Sequence, residues 1–362
     1  MLYERIQYDS NLPFYATFSN VMEEDYHKHK EMEIMLVLQG SACCTIHHLE
    51  YNIKQSDILI VDTQDLHRIH DSSEDLIMMT MYIDLEQFTD KYPNVDYTVF
   101  TCEDCTKDSV EKHQELQNKT SLLKSHMARF MLAFKDNRRD ENLLMDYMDE
   151  FIAILVDQFQ GFFMEDMKFK TNQGQTRGVN MQRLYRIVKY IYMNYDKNIT
   201  LKDVARLEHL SHYYISHLVK DSTGLSFQNF LNYIRVEHAE EYLVENTLTL
   251  THISNICGFS SPAYLNKCFK KWHGVTPTVY RKKLKRYQRK HTRPFSEKRA
   301  LDLTSSYIND YAKMDDSTSK QATESEVMLH NIRSQISELN EEGLKNAYSY
   351  IKYLKEQKEY QS

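Results

Sequence analysis

The feature that most constrains this chain is a fourteen-residue segment that recurs fifty residues further on. Ser211 to Gly224 reads SHYYISHLVKDSTG and Ser261 to Gly274 reads SPAYLNKCFKKWHG, so Ser211, Ile215, Leu218, Val219, Lys220 and Gly224 match Ser261, Leu265, Cys268, Phe269, Lys270 and Gly274. The register is helical. Each copy opens on a serine whose hydroxyl can accept from the free amides of a first turn, and closes on a glycine able to take the left-handed C-terminal conformation. Ile215, Leu218 and Val219 fall on one face at i, i+3, i+4, as do Leu265, Cys268 and Phe269, which leaves the opposite face of each helix free.

On the free faces stand His212, Tyr213, Ser216, His217 and Lys220 in the first copy and Pro262, Ala263, Asn266, Lys267 and Lys270 in the second. Such a face is either solvated or turned to a partner, and its polar, cationic and small residues suit contacts to base edges and phosphates in a major groove. The segment between the copies argues for the second reading. From Ser226 to about Asn246 it carries a helical apolar pattern (Phe227, Phe230, Leu231, Ile234, Ala239, Leu243). A rod of that length spans roughly 30 Å, close to the spacing of roughly 34–36 Å between successive major-groove faces of B-DNA.

These residues resemble the DNA-binding domain of the AraC family of bacterial transcription regulators, from about Met181 to Arg289. The resemblance rests on ITLKDVA at Ile199, LSHYYISHLVKDSTGLSF at Leu210, IRVEHAEEYL at Ile234 and ISNICGFSSPAYLNKCFKKWHGVTPTVYR at Ile253. It implies two helix-turn-helix motifs that read promoter DNA, with RNA polymerase as a further partner if the protein activates. The chain departs from the family at Glu208, where an apolar residue is usual, and at Ser254, where alanine is usual. Neither position lies on the DNA face.

Charge supports the same assignment. Residues 181–290 hold 18 of the chain's 45 Lys+Arg and 8 of its 52 Asp+Glu, net +10, whereas the remainder holds 27 against 44, net −17. Only one segment is built to meet a polyanion. The run RKKLKRYQRKH from Arg281 to His291, with Arg281, Lys282 and Lys283 at its head, is either a solvated helix end or a set of phosphate contacts.

A chain of 362 residues is expected to form two or three domains. No signal peptide and no uncharged apolar stretch of membrane-spanning length is visible. The cysteines, Cys43, Cys44, Cys102, Cys105, Cys257 and Cys268, follow no disulfide framework. Reduced thiols in a cytoplasm, with no membrane partner, are the simplest expectation.

The first hundred residues have another texture. Short apolar runs (Glu33 to Leu38, Ala42 to Ile46, Asp57 to Val61, Leu76 to Ile83) read as strands between polar turns, which predicts a small antiparallel barrel or jelly roll. Within it, His27, His29, Glu33, Gly40 and the later His67 resemble the cupin motif; its second half is degraded, with Ser56, Asp62 and Gln64 where glycine, proline and glycine are preferred. The resemblance implies that His27, His29, Glu33 and His67 gather at one end of the barrel. Two N/O donor chemistries remain open there, the polar lining of an effector pocket and a divalent transition-metal site; the first is the expectation, with no cofactor. Catalysis does not follow from a cupin fold, and a non-enzyme is expected.

Cys102 and Cys105 form a lone CxxC after an expected strand, Tyr97 to Thr101, and read as a strand end, with a zinc or redox site as the alternative. From Lys107 to about Phe163 apolar residues recur at helical spacing, and AraC-like regulators commonly dimerise through the helices after the cupin; Phe151, Ile154, Leu155, Gln158 and Phe159 are the candidate surface. Residues 325–360 show two more amphipathic helices whose stripes (Ile332, Ile336, Leu339, then Leu344, Ile351, Leu354) need cover, either from the helices of a second subunit or from a neighbouring domain of the same chain.

The expected architecture is multi-domain α+β: an antiparallel cupin or jelly-roll sensor (residues 1–106), a helical dimerisation segment (107–164), a linker (165–180), an all-α domain with two helix-turn-helix motifs (181–291), a flexible linker (292–324) and a helical tail for oligomerisation (325–362). The expected function is a cytoplasmic, homodimeric, one-component transcription regulator controlled by a small effector such as a sugar or related metabolite. The alternatives are a metal-dependent cupin enzyme or metal sensor fused to a DNA-binding module, and a scaffold assembled through the tail.

Overall fold

Apolar runs without alternation become strands that are buried on both faces. Such strands build the barrel of the computed structural model, which describes residues 3–8, 11–102, 110–136, 138, 140–161, 163–165, 168–170, 179–245, 248–283 and 291–308. β1 (Phe14–Ser19), β8 (Ile77–Ile83), β3 (Met32–Gln39) and β6 (Ile58–Val61) form one antiparallel sheet in that spatial order. β5 (Leu49–Lys54), β4 (Ser41–Ile46) and β7 (His67–His70) form the second.

The side-chain period of two sorts β3 and β8 into two cores. Met35, Val37 and Met78 meet Cys44, Ile46 and Ile69 of the other sheet in the barrel interior. Met32, Ile34, Leu36, Met79, Met81 and Ile83 point the other way, onto α1 (Val110–Phe134) and α2 (Glu141–Gln158). There the helical stripe Leu123, Met127, Phe130 and Phe134 packs with Leu144, Met148, Ile152 and Leu155. This burial corrects the expected dimer surface: Phe151, Leu155 and Phe159 are fully buried in the chain's own core, and Ile154 and Gln158 are half-buried.

Three other expectations change. Residues 95–97 form a 3-10 turn instead of opening a strand, entered through Asn94 at φ 64°, and only Phe100 bridges, to Gln160. The 165–180 linker begins inside a hairpin of β9 (Phe163–Glu165) and β10 (Lys168–Lys170), and its last residues open α3 (Val179–Asn194). Residues 292–308 are no flexible linker. β2 (Val21–Glu23) pairs with β11 (His291–Thr292), Arg293 Nη1 donates to the Ser73 carbonyl at 2.9 Å, and residues 297–308 form a helix, α10, that buries Ala300 and Thr304 against the barrel core. The tail helices, like Cys105, lie outside the described residues.

The helical part has one core, made by α3, α4 (Leu201–Leu207), α5 (His212–Thr223), α6 (Phe227–Glu245), α7 (Leu250–Ile256), α8 (Pro262–His273) and α9 (Pro277–Lys283). α4 and α5 make one helix-turn-helix, α7 and α8 the other, and α6 joins them. The two family departures are accommodated. Glu208 takes a two-pronged bond from Arg186 (Nε to Oε1 2.9 Å, Nη2 to Oε2 2.6 Å), and the Ser254 hydroxyl donates to the Thr251 carbonyl at 2.9 Å. Buried Arg235 donates to the carbonyls of Tyr195 and Lys197 at 2.7 and 2.8 Å, tying α6 to the turn between α3 and α4. Among the described residues no helix is long and apolar enough to cross a membrane.

Candidate nucleic-acid and effector sites

The capping expected from sequence forms in both copies. Ser211 Oγ accepts from the Tyr214 amide and Ser261 Oγ from the Tyr264 amide, each at 3.2 Å, and Gly224 and Gly274 end their helices at φ 73° and 69°. The inward stripe Ile215, Leu218, Val219 and its counterpart Leu265, Cys268, Phe269 are buried. His212, Tyr213, Ser216, His217 and Lys220 are all exposed on α5, with the Tyr213 ring against His217 at 4.3 Å between centroids. On α8, Ala263, Lys267 and Lys270 are exposed, while Pro262 and Asn266 are half-buried. Arg281 is half-buried and Lys282 exposed; the Lys283 side chain lies outside the described residues. At 1.5 Å per residue, the 19 residues of α6 measure about 28 Å.

The four cupin-motif residues do come together, all buried, with ligand atoms within 4.8 Å of one another. His27, His29 and His67 each donate from Nδ1 to a backbone carbonyl two residues away (Asp25, Glu31, Asp65) at 2.9 Å, which leaves each Nε2 to face a carboxylate, that of His27 lying 3.4 Å from Glu4 Oε2. Glu33 Oε2 lies 3.3 Å from His29 Nε2 and 3.1 Å from His67 Nε2. Burial alone would raise the Glu33 pKa; the bonds from His29 and His67 outweigh it and hold the carboxyl well below the usual range. For His29, burial is outweighed by the bond to Glu33, and its pKa is raised. His27 goes the other way, lowered by burial and by the neighbouring His67. The donor set and the carbonyl-held Nδ1 atoms fit a transition-metal ion. The same residues also close their own charge, carboxylate against imidazolium.

A cavity that a small molecule could enter lies elsewhere. A pocket of about 360 Å³ opens between the barrel and the helical part, lined from the barrel side by His47, Tyr51, Asp62 and Asp65 and from the other by Tyr192, Tyr233 and Glu237. None of His27, His29, Glu33 and His67 lines it. Sequence reasoning missed its residues because they are gathered from β5, from the turns after β4 and β6 and from α3 and α6.

Beside the cavity α6 is docked on the barrel through buried charge. Lys28 Nζ meets Glu241 Oε2 at 2.5 Å, and His47, at the turn after β4, bonds Glu240 Oε2 at 2.9 Å and Asp65 Oδ1 at 3.2 Å. Burial would lower the His47 pKa, but Asp65 and Glu240 together hold it well above the ordinary value. Glu240 is itself pushed down to about 2, burial being outweighed by His273 and His47. Burial holds His273 below the ordinary histidine range, against the pull of Glu240. Glu237 runs opposite: burial raises its pKa to about 7, against the pull of His47.

Two family models match: an AraC-like ligand binding domain over residues 12–145 and a helix-turn-helix domain over residues 204–283. The lactose operon transcription activator of Staphylococcus xylosus is 26% identical over 149 residues, 41% of this chain and 50% of that protein. An uncharacterized HTH-type transcriptional regulator of Staphylococcus aureus is 24% identical over 257 residues, 71% of this chain and 32% of that protein. The matches thus span a half and a third of those relatives. Among solved structures, the C-terminal domain of AraT, a response regulator from Geobacillus stearothermophilus, is 31% identical, with 32% of this chain and 88% of that one covered at a TM-score of 0.27. A ligand-binding barrel domain and a double helix-turn-helix domain in one chain are the two halves of one kind of regulator, and the chain belongs to the AraC family of DNA-binding transcription regulators.

Proposed function

We propose that this protein is a one-component regulator that binds promoter DNA sequence-specifically through α5 and α8 and is controlled by a small-molecule effector held between barrel and α6. The observation that carries the reading is the double duty of α6. One helix joins the two helix-turn-helix motifs and, through Tyr233 and Glu237, walls the cavity it shares with the barrel. An effector that binds the docked and released arrangements of α6 unequally shifts their populations by that difference alone. Among the described side chains of α6, the acids Glu237, Glu240 and Glu241 face the barrel, which keeps their charge off the surface assigned to DNA. Base contacts are assigned to His212, Tyr213, Ser216, His217, Pro262, Ala263, Asn266 and Lys267, and phosphate contacts to Lys220, Lys270, Arg281, Lys282 and Lys283. The protein acts as a homodimer in the cytoplasm, assembled by the helical segment and the tail, and recruits RNA polymerase where it activates.

Mapping bound promoters genome-wide, then measuring full-length protein on those sequences and on random duplex at physiological salt, tests the reading. Equal affinity for both overturns it. The cavity-filling Leu49→Trp is expected to leave DNA affinity in place and abolish its change on adding effector-containing cell extract.

A second reading, metal sensing by the barrel, is favoured by the convergence of His27, His29, Glu33 and His67. A bound ion there would take the place of the imidazolium charge against Glu33. A transcription regulator's effector is the expectation in either case, and no step of catalysis is assigned.

A further inference from the structure

The charges around the cavity do not balance. Its wall carries the carboxyl groups of Asp62, Asp65, Glu86, Asp96, Glu237 and Glu241 against a single lysine, Lys30. Lys30 is turned to Asp84 at 2.5 Å, and Glu241 is taken by Lys28. His47 already serves Glu240 and Asp65. Asp96 is met by Lys189 at 4.0 Å, and Glu86 is exposed to solvent. That leaves Asp62 and Glu237 as the wall acids shielded from solvent with no lysine or arginine in an ion pair among the described residues, Glu237 having only His47 Nε2 at 3.9 Å. They stand one on each side of the cavity, and Glu237 adds to the cost of ionising Asp62. Asp62 is pushed well up by burial and by Asp65, and Glu237 by burial.

A second observation points the same way. In the same wall, the buried Asp96 Oδ1 and His238 Nε2 have no hydrogen-bond partner. Buried polar atoms are nearly always paired, and leaving one unpaired costs about 1–3 kcal/mol; a guest with donor groups would satisfy Asp96. The remaining wall is aromatic, with Tyr51, Tyr97, Phe100, Tyr192 and Tyr233, surfaces whose π faces attract cations. Lys189 already lies over the Tyr97 ring at 4.7 Å.

We propose that the cavity takes a small organic cation, an amine with an apolar or aromatic body, whose ammonium group is held between Asp62 of the barrel and Glu237 of α6. This rests on the reading of the cavity as the effector site and adds the ligand's chemical class. The ammonium group bridges the two parts, so the ligand favours the docked arrangement of α6. A neutral sugar lacks the charge that Asp62 and Glu237 leave open, and a carboxylate is repelled.

The test uses full-length protein and a matched set of probes in calorimetry and thermal unfolding: tyramine, 4-ethylphenol and 4-hydroxyphenylacetate, with glucosamine against glucose as a second pair. Tyramine is expected to bind at least tenfold more tightly than 4-ethylphenol, and 4-hydroxyphenylacetate not at all at millimolar concentration. Asp62→Asn and Glu237→Gln keep an acceptor for the Phe100 amide and the Tyr192 hydroxyl, so both should fold while losing tenfold or more in amine affinity. Leu49→Trp should abolish binding. Tighter binding of a neutral or acidic probe that Leu49→Trp removes overturns the cation class and leaves the effector site standing. Amine binding that survives Leu49→Trp places it elsewhere and overturns the site itself, and no binding by any probe overturns the proposal.

Discussion

Glu240 of α6 and His47 of the barrel face each other at 2.9 Å, and the Glu240 side chain is completely shielded from solvent. The second Glu240 oxygen accepts from Tyr280 of α9 at 2.5 Å, so one carboxylate ties the sensor to the end of the second helix-turn-helix. Removing one partner of a buried ion pair strands the other. Glu240→Ala is therefore expected to cost about 3–5 kcal/mol in urea unfolding, whereas the double variant His47→Leu, Glu240→Leu should recover much of that loss. A single-variant cost below about 1 kcal/mol would show that the pair does not hold the docked arrangement.

The same groups set a pH dependence. The folded-state pKa of Glu237 is raised from 4.5 to about 7, so the folded state retains a proton that the unfolded chain has lost, and stability falls as pH rises through that window. His47, raised above 6.5, extends the loss to higher pH. Glu240, lowered from 4.5 to about 2, works in the other direction and loses its contribution as pH falls through that range. The contact between barrel and α6 should be strongest near pH 5 to 6, and hydrogen exchange of the α6 amides should quicken as pH rises to 8. Glu237→Gln should flatten the limb below pH 7; an unchanged limb would sink the assignment.

On DNA, Asn266→Ala or Lys267→Ala should relax base preference in one half of the site and cost about 1–3 kcal/mol per lost contact. His217→Ala and Tyr213→Ala should do so in the other half. Lys282→Ala should weaken all sequences alike and reduce the salt slope by about one unit. Footprints and anisotropy at several salt concentrations separate the two behaviours.

Gly258 sits at φ 71°, and a Cβ there would stand 2.6 Å from the Asp196 carbonyl oxygen. The backbone between α7 and α8 passes against the turn after α3 at that point. Gly258→Ala should cost about 1–3 kcal/mol and reduce binding at the half-site read by α8 more than at the other. Equal loss at both would mean global unfolding instead.

For the barrel cluster, protein purified without a metal-affinity tag is expected to hold well below one equivalent of zinc, manganese or iron, because His29 and His67 already satisfy Glu33. Stoichiometric metal that disappears in His27→Ala and His29→Ala would favour the metal-sensing reading. Under that reading Glu33→Ala or His67→Ala should abolish the effector response and spare DNA binding, whereas with the effector held between barrel and α6 both variants should keep the response, since neither residue lines that cavity.

What could be read before the fold was known follows from the range of the interactions. The caps at Ser211 and Ser261, the stripe from Ile215 to Val219 and the run of α6 are set within a few residues, and each stands as expected. The doubly buried strands were also legible, since Met32 to Leu38 shows no polar alternation. Tyr97 to Thr101 misled because its pattern is strand-like while the Asn94 turn and the bond from the Phe100 amide to Asp62 fix it otherwise. The cavity was invisible: His47, Asp62, Tyr192 and Glu237 share no spacing, and only docking brings them together.

The helix at residues 297–308 escaped notice for a related reason. Its buried positions, Ala300 and Thr304, are small or polar and carry almost no hydropathy signal, yet both are fully enclosed, and Phe295, Leu301, Leu303 and Tyr307 pack on the same core. A truncation meant to probe the tail must respect this. Stopping after Arg293 strips cover from the barrel and should lower its melting temperature, and Ala300→Asp should cost about 2–3 kcal/mol by burying a charge. Stopping after Ile308 should leave the melting temperature unchanged and, if the tail pairs subunits, halve the mass seen in ultracentrifugation. A full dimer mass after that cut would remove the tail from assembly and leave dimerisation to the outer faces of α1 and α2, where Leu143 is exposed.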